Sequence, residues 1–272
     1  MPYLTKHQTG RGARWALDGR LLPQDLELGR LLELPAAAMP DFLHAIASTD
    51  APDGAPLAPV EAATEVWAAG VTYRRSRDAR EAESTVKDVY SKVYDAERPE
   101  LFFKAPGWRV AGHGMPIRIR RDSRWNVPEP ELTLVINARG EIVGFCAGND
   151  VSSRDIEGEN PLYLPQAKVY NGSCALGPGI SLCGVDALRD LSIDLVVRRA
   201  GHAIFSGATR TSQITRPLQD LVDCLRQELD FPHGVFLMTG TGVVPPDDFS
   251  LALGDIVRIS IGELTLENEV GP

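Results

Sequence analysis

The sequence predicts an α+β protein that is mainly β. From Leu101 onward, short runs rich in β-branched and aromatic residues are separated by glycine, proline and asparagine, a pattern typical of strands joined by turns. Only one later stretch, Arg216 to Glu228, has a helical period, with its leucines and valine on one face. The chain has 272 residues, 43% of them hydrophobic, which is enough to bury a substantial core.

The first 65 residues differ in composition from the rest of the chain. Leucines are mixed with turn residues in GRLLPQDLELGRLLELP, and the segment from Ser48 to Ala63 is rich in proline, glycine and aspartate, as linkers are. We therefore predict a small N-terminal domain over residues 1–65 and a larger domain over residues 66–272.

The larger domain begins with a predicted strand and a predicted helix. EVWAAGVTY has the apolar character of a buried strand. In the next segment, SRDAREAESTVKDVYSKVYDAE, apolar residues recur every three or four positions and form one stripe, which predicts a helix that ends before Pro99. The stripe consists of Val86, Val89, Tyr90, Val93 and Tyr94.

Most of the remaining elements are predicted strands. Their sequences are LFFKA, PIRIRR, ELTLVI, EIVGFCAGND, LSIDLVVRR and DIVRISI. Two of them, over residues 131–136 and 142–148, are joined by the short segment NARGE. A connection of this length predicts that the two strands pair as a hairpin.

Charge and composition exclude several classes of function. The net charge is −9 and no block of lysine or arginine occurs, which argues against nucleic acid and anionic membranes as partners. No apolar run is long enough for a membrane span, and the polar N-terminus lacks the apolar core of a signal peptide. None of the 4 cysteines has the spacing of a zinc knuckle or a redox pair. We expect a cytoplasmic protein.

Two glutamates in NVPEPELTLVI are the first candidates for chemistry. Glu129 and Glu131 lie two positions apart, so their side chains point to the same face of a strand. Their mutual repulsion would be relieved by a hard divalent cation such as Mg²⁺, Mn²⁺ or Ca²⁺, which prefers oxygen ligands. The alternative is an exposed edge strand with two solvated glutamates, where Pro128 and Pro130 would be tolerated.

A third carboxylate follows in the second strand of the predicted hairpin. Asp150 ends that strand, so hairpin pairing would place it beside the start of the first strand. Three converging carboxylates make a plausible cation site with positions left for substrate and water. We therefore predict a metal site formed by Glu129, Glu131 and Asp150.

These motifs together resemble the fumarylacetoacetate hydrolase superfamily, and most closely its 2-keto-3-deoxy-D-arabinonate dehydratases. The E-x-E pair, NDVSSRD, the lysine of QAKVYNGSCALGP and TGTG carry the resemblance, which covers about residues 66–272. It implies a mixed β-sandwich roll with a small N-terminal domain, assembled as a homodimer or homotetramer. It also implies Mg²⁺ bound by the three carboxylates, with Glu100 and Lys168 as the catalytic residues.

The implied reaction is the dehydration of a 2-keto-3-deoxypentonate, a small 2-keto sugar acid, to 2,5-dioxopentanoate. Glu100 and Lys168 would carry the protons of this reaction. Backbone N–H groups and hydroxyls of the TGTG loop suit a substrate carboxylate, and arginines are further candidates for an anion. The predicted substrate-binding residues are Lys104, Arg77, Arg154, Thr239, Gly240 and Thr241, with a structural ion pair as the alternative for Lys104.

One departure from the superfamily favours elimination over hydrolysis. Its hydrolases carry a water-activating histidine shortly after the tyrosine of the first strand, whereas GVTYRRSRDAREAES has Tyr73 and no histidine. Two alternatives stay open. One is an acylpyruvate-type C–C hydrolase or a 2-oxo acid decarboxylase of the same superfamily, and the other is a non-catalytic protein that binds a structural cation.

Overall fold

The computed structural model describes residues 1–83, 93, 94 and 96–272. The α-helices of these residues are α1 (Leu28–Leu31), α2 (Met39–Ile46), α3 (Arg74–Glu83), α4 (Arg154–Glu159), α5 (Leu164–Lys168) and α6 (Leu218–Arg226). The strands are β1 (Tyr3–Thr9), β2 (Gly12–Leu17), β3 (Arg20–Leu21), β4 (Ala55–Leu57), β5 (Glu65–Gly70), β6 (Glu100–Pro106), β7 (Ile117–Arg118), β8 (Asn126–Val127), β9 (Pro130–Ile136), β10 (Ile142–Asp150), β11 (Ser152–Ser153), β12 (Cys174–Leu182), β13 (Ser192–Arg199), β14 (His202–Arg210), β15 (Val235–Met238), β16 (Ile256–Ile261) and β17 (Leu264–Gly271). The mainly β class predicted from the sequence is confirmed.

The largest sheet is mixed and contains the predicted hairpin. Its strands follow the order β3-β2-β1-β12-β10-β9-β15-β5-β6, and β4 pairs with β1. β9 and β10 pair antiparallel, as predicted. Every residue of both strands is buried, and β9 lies between β10 and β15. The interpretation of the two glutamates as solvated residues of an edge strand is therefore wrong.

A smaller sheet packs against one face of the large sheet. Its order is β14-β13-β16-β17-β7, and β8 pairs with β11 in a separate two-stranded ribbon. One hydrophobic cluster contains Leu132 and Leu134 from β9 together with Leu195 and Ile259 from the smaller sheet. The helix predicted within Arg216 to Glu228 is confirmed as α6, whose apolar face joins the same cluster.

The N-terminal segment covers the opposite face of the large sheet. Val135 points away from Leu134, because side chains alternate along a strand, and it joins a second cluster with Leu4, Leu28 and Leu43. β1 also pairs with β12, so the segment contributes strands to the large sheet as well as helices to its cover. A separate domain over residues 1–65 stays a prediction.

The segment after β5 differs from its prediction at the start. The predicted strand stops at Gly70, because Val71 has φ +53°, a left-handed conformation that strands do not adopt. α3 then begins at Arg74. Of the predicted apolar stripe, the residues at 86, 89 and 90 lie outside the described part of the chain. Within the described residues, no helix has the length and apolarity needed to cross a membrane.

A partly buried ion pair joins two parts of the N-terminal segment that are far apart in the sequence. Lys6 Nζ lies 2.6 Å from Glu61 Oε2, and Trp15 Nε1 donates to Glu61 Oε1 at 2.8 Å. Burial by itself would raise the pKa of Glu61, but the hydrogen bonds from Lys6 and Trp15 outweigh it and hold this pKa below its usual value. Glu61 therefore stabilises the fold when it is ionised.

Substitution Glu61→Gln is expected to lower the free energy of unfolding by about 1.5–3 kcal/mol at neutral pH, because a charge-assisted hydrogen bond is lost. A depressed folded-state pKa contributes stability above the unfolded pKa, and this is lost as the pH falls through the folded pKa. The difference between wild type and variant should therefore shrink in acid, as followed by denaturant unfolding. Glu33→Gln is the control, because Glu33 is only half-buried and its partner Arg30 is exposed. Equal losses in both variants would contradict the assignment.

Candidate active site

The topology of the large sheet places the ends of five strands side by side at one end of the sheet. β9 runs antiparallel to β10 and β15, while β5 runs parallel to β15 and antiparallel to β6. The last residues of β10, β15 and β5 therefore lie beside the first residues of β9 and β6. The predicted metal ligands lie where β9 begins and β10 ends, and Glu100 is the first residue of β6.

The side chains of the three predicted metal ligands converge at this end of the sheet. Ligand oxygens of Glu129, Glu131 and Asp150 all lie within 4.8 Å of one another. The residues are 2%, 2% and 0% exposed, so the carboxylates are withdrawn from bulk water. This confirms the spatial cluster predicted from the spacing of the hairpin.

Two of the carboxylates form ion pairs with buried cations. Lys168 Nζ lies 2.8 Å from Glu129 Oε2 and 3.1 Å from Asp150 Oδ2. Arg154 approaches Glu129 Oε1 at 3.2 Å, and Lys104 approaches Asp150 Oδ1 at 2.5 Å. These cations offset part of the cost of burying like charges together.

Glu131 has a different environment from its two neighbours. Its Oε2 accepts a hydrogen bond from the backbone N–H of Gly240 at 2.7 Å, and no lysine or arginine among the described residues pairs with it. Burial, with repulsion from Asp150 and Glu129, raises the pKa of the Glu131 carboxyl well above its usual value. A divalent cation would stabilise the ionised form, and three carboxylates are ligands that Mg²⁺ accepts. The donor set therefore fits the predicted ion.

Lys168 lies between the carboxylates and is held by further contacts. Its Nζ donates to Ser152 Oγ at 2.7 Å and lies 5.8 Å from the centre of the Phe102 ring. Neither residue was singled out for this role from the sequence. Phe102 follows Glu100 by two positions in β6, so strand alternation is the signal that could have found it. Ser152 lies beyond the end of β10, where alternation within that strand does not apply.

Lys104 is an internal residue of the site. Its side chain is 0% exposed, and besides Asp150 its Nζ donates to the carbonyl oxygens of Val151, at 3.3 Å, and of Lys168. The structure thus shows the ion pair that the sequence left as the alternative for Lys104. A contact with substrate stays a prediction for this residue.

The predicted substrate-binding residues fall into two groups. Gly240 and Thr241 line the same cleft as Glu100 and Lys168. Arg77 does not line it, because its guanidinium pairs with the neighbouring Asp78 at 2.7 Å and stacks on the ring of Tyr94. Arg154 and Thr239 are buried beside the cleft. For all of these residues the binding of substrate stays a prediction.

The loop that carries Gly240 is fixed by the segment after β5. Thr72 Oγ1 donates to the carbonyl oxygen of Thr239 at 2.5 Å, and Thr239 Oγ1 donates to Leu132 at 2.9 Å. Gly240 has φ +87°, a conformation that favours glycine. These contacts hold the N–H of Gly240 against Glu131. Cleft residues that the sequence analysis did not assign to the site are Ala69, Gly70, Val71, Ser76, Phe102, Glu157 and Leu164.

The site is a buried set of oxygen ligands with a lysine between them, in a cleft at one end of the large mixed sheet. These features define a metal-dependent enzyme. The family model described as fumarylacetoacetate (FAA) hydrolase C-terminal matches residues 65–271. The chain therefore belongs to the fumarylacetoacetate hydrolase family.

Two relatives and one solved structure within the family are similar to this chain over most of its length. A protein of Haloferax volcanii described as "Probable 2-keto-3-deoxyxylonate dehydratase" is 49% identical over 78% of this chain and 73% of its own. The 2-dehydro-3-deoxy-D-arabinonate dehydratase of Saccharolobus solfataricus is 42% identical over 74% of this chain and 69% of its own. A solved structure of 2-keto-3-deoxy-D-arabinonate dehydratase, complexed with magnesium and 2,5-dioxopentanoate, has a TM-score of 0.80, with 32% identity over 99% of this chain and 98% of that one.

Proposed function

We propose that this protein is a Mg²⁺-dependent dehydratase, which converts a 2-keto-3-deoxypentonate of the D-arabinonate or D-xylonate type to 2,5-dioxopentanoate. The observation that carries the proposal is the cluster of Glu129, Glu131 and Asp150 with Lys168 Nζ at 2.8 and 3.1 Å from two of them. The similar dehydratases named above, one of them solved with magnesium and this product, support it.

The three carboxylates would hold the cation, and the rest of the cleft would serve the substrate. When bound, Mg²⁺ supplies Lewis acidity and positive charge to the adjacent keto and carboxylate oxygens of a 2-keto acid. Arg154 and Lys104 hold Glu129 and Asp150 in place. The hydrogen bond from Gly240 to Glu131 does the same for the third ligand.

Lys168 and Glu100 carry the protons in this proposal. One of the pair removes a proton from C3, and the other protonates the C4 hydroxyl, which leaves as water and gives an enone. A proton then moves from C5 to C3, and the resulting enol tautomerises to the C5 aldehyde, so the net change is the loss of one water. Both residues line the cleft next to the carboxylates, which supports this assignment.

The described residues of the cleft lack the histidine with which superfamily hydrolases activate an attacking water. Residues 74–83, where superfamily hydrolases carry their histidine, contain none. The described residues that line the cleft also include no histidine. Elimination needs no water nucleophile, so the composition of the cleft favours a dehydratase over a C–C hydrolase.

A coupled assay tests the proposed function. Purified protein is incubated with Mg²⁺ and a racemic 2-keto-3-deoxypentonate, and 2,5-dioxopentanoate is followed through a semialdehyde dehydrogenase. A parallel reaction with an acylpyruvate is followed through pyruvate. Formation of the aldehyde that stops on chelation is the expected result. Pyruvate from the acylpyruvate alone would establish the hydrolase, and binding of Mg²⁺ with neither product would establish a structural cation site.

Three broader features belong to the same proposal. The protein acts in the cytoplasm in pentose catabolism, on a small sugar acid and without nucleic acid or membrane as a partner. It assembles as a homodimer or homotetramer, which light scattering would test. Residues 1–65 form its small N-terminal domain, and the family model, which starts at residue 65, supports this boundary.

A further inference from the structure

Gly70 lies directly opposite Glu100 in the sheet. The two are partners in the antiparallel pairing of β5 and β6, and both line the cleft. Side chains of directly opposed residues lie on the same face of an antiparallel pair, with their Cβ atoms about 5 Å apart. Any side chain at position 70 would therefore share its space with the side chain of Glu100.

The carboxylate of Glu100 occupies the space that a side chain at position 70 would need. A Cβ atom on Gly70 would lie 2.1 Å from Glu100 Oε2, 2.6 Å from its Cδ and 3.3 Å from its Cγ. The three nearest atoms all belong to Glu100. The glycine is also not required by its backbone, because Gly70 is absent from the residues with positive φ, unlike Gly240.

We infer that Gly70 is a positioning residue, whose missing side chain lets the Glu100 carboxylate lie over the end of β5 and face the cleft. Glycine within a strand weakens it, and it often marks a place where another group approaches closely. Here the approaching group is the side chain assigned to proton transfer. The inference therefore rests on the proposed function for its catalytic consequence, but not for its structural one.

The same geometry predicts how the chain responds to a larger residue. The atoms in conflict are the far end of a flexible side chain, so Gly70→Ala moves the Glu100 carboxylate and leaves the backbone of β5 in place. The metal ligands Glu129, Glu131 and Asp150 are not among the three atoms nearest to the new methyl group. The variant should therefore bind Mn²⁺ with the affinity of the wild type.

The test is a double-mutant cycle of Gly70→Ala and Glu100→Gln. Gly70→Ala should lower kcat, by up to the about 10²–10⁴-fold of a positioned proton transfer, with the melting temperature and Mn²⁺ affinity unchanged. Added to Glu100→Gln, it should cost nothing more, because the carboxylate that it displaces is already inactive. Losses that multiply in the double variant would overturn the inference.

Two further measurements separate the possible failures. If Gly70→Ala does not fold, Gly70→Ala combined with Glu100→Ala should fold, because truncation removes all three atoms in conflict; failure of both would overturn the inference. If the wild type turns over no 2-keto-3-deoxypentonate, the proposed function fails. A crystal structure of Gly70→Ala then decides the inference, which is overturned if the Glu100 carboxylate has not moved.

Discussion

Lys168→Met is expected to lower kcat by about 10²–10⁴-fold, the contribution of one positioned proton transfer. Lys168 Nζ is held by Glu129, Asp150 and Ser152 at 2.7–3.1 Å, so it has a fixed place in the cleft. Methionine retains the shape of the side chain but can neither donate nor accept a proton. Steady-state kinetics with saturating Mg²⁺ would measure the loss.

Two companion measurements show whether the loss comes from proton transfer. Lys168→Arg keeps the positive charge but cannot give up its proton in a protein, so it should be nearly as inactive. Substantial activity in Lys168→Arg would mean that the residue acts only as a counter-charge. Mn²⁺ should bind Lys168→Met at least as tightly as wild type, because the lysine that competes for Glu129 and Asp150 is gone.

Lys104→Met is expected to cost about 3–5 kcal/mol of stability in the presence of a chelator, because it removes one partner of a fully buried ion pair. Asp150 Oδ1 would lose its cation at 2.5 Å, and two backbone carbonyl oxygens would lose a donor. Saturating Mg²⁺ should reduce the loss, since a bound cation gives Asp150 another positive partner. Denaturant unfolding with EDTA and with Mg²⁺ would measure both values.

The control for this prediction is an exposed ion pair. Arg258 Nη1 lies 3.1 Å from Glu267 Oε2 on the surface of the smaller sheet, and Arg258→Met should cost no more than about 1 kcal/mol. Equal losses at Lys104 and Arg258, or a loss at Lys104 that Mg²⁺ does not change, would contradict the role given to Lys104.

The elements that the sequence predicted well have local signals. The β9–β10 hairpin follows from two apolar runs and the short segment NARGE, and α6 follows from an apolar stripe of one helical period. The strands of the N-terminal segment were not predicted. β1 is stabilised by pairing with β12, which lies more than 150 residues away, and no local pattern reports such a partner.

The candidate site divides in the same way. Glu129 and Glu131 share a strand face by alternation, and Asp150 reaches them through a short turn, so their cluster was predictable. The ion pair of Lys104 with Asp150 and the hydrogen bond from Thr72 to Thr239 join residues that are far apart in the sequence. These contacts depend on the strand order of the large sheet, which the spacing of residues does not contain.

The sequence by itself determined the cluster of three carboxylates, the mainly β class and the family, because each rests on short-range periodicity or on motifs within a few residues. Only the tertiary structure showed that Glu131 is the carboxylate without an ion pair among the described residues, and that Glu100 fills the space above Gly70. Both features lie at one end of the large sheet, where strands that are far apart in the sequence begin or end side by side. There, the environment of a side chain is set by its neighbours in space rather than by its neighbours in sequence.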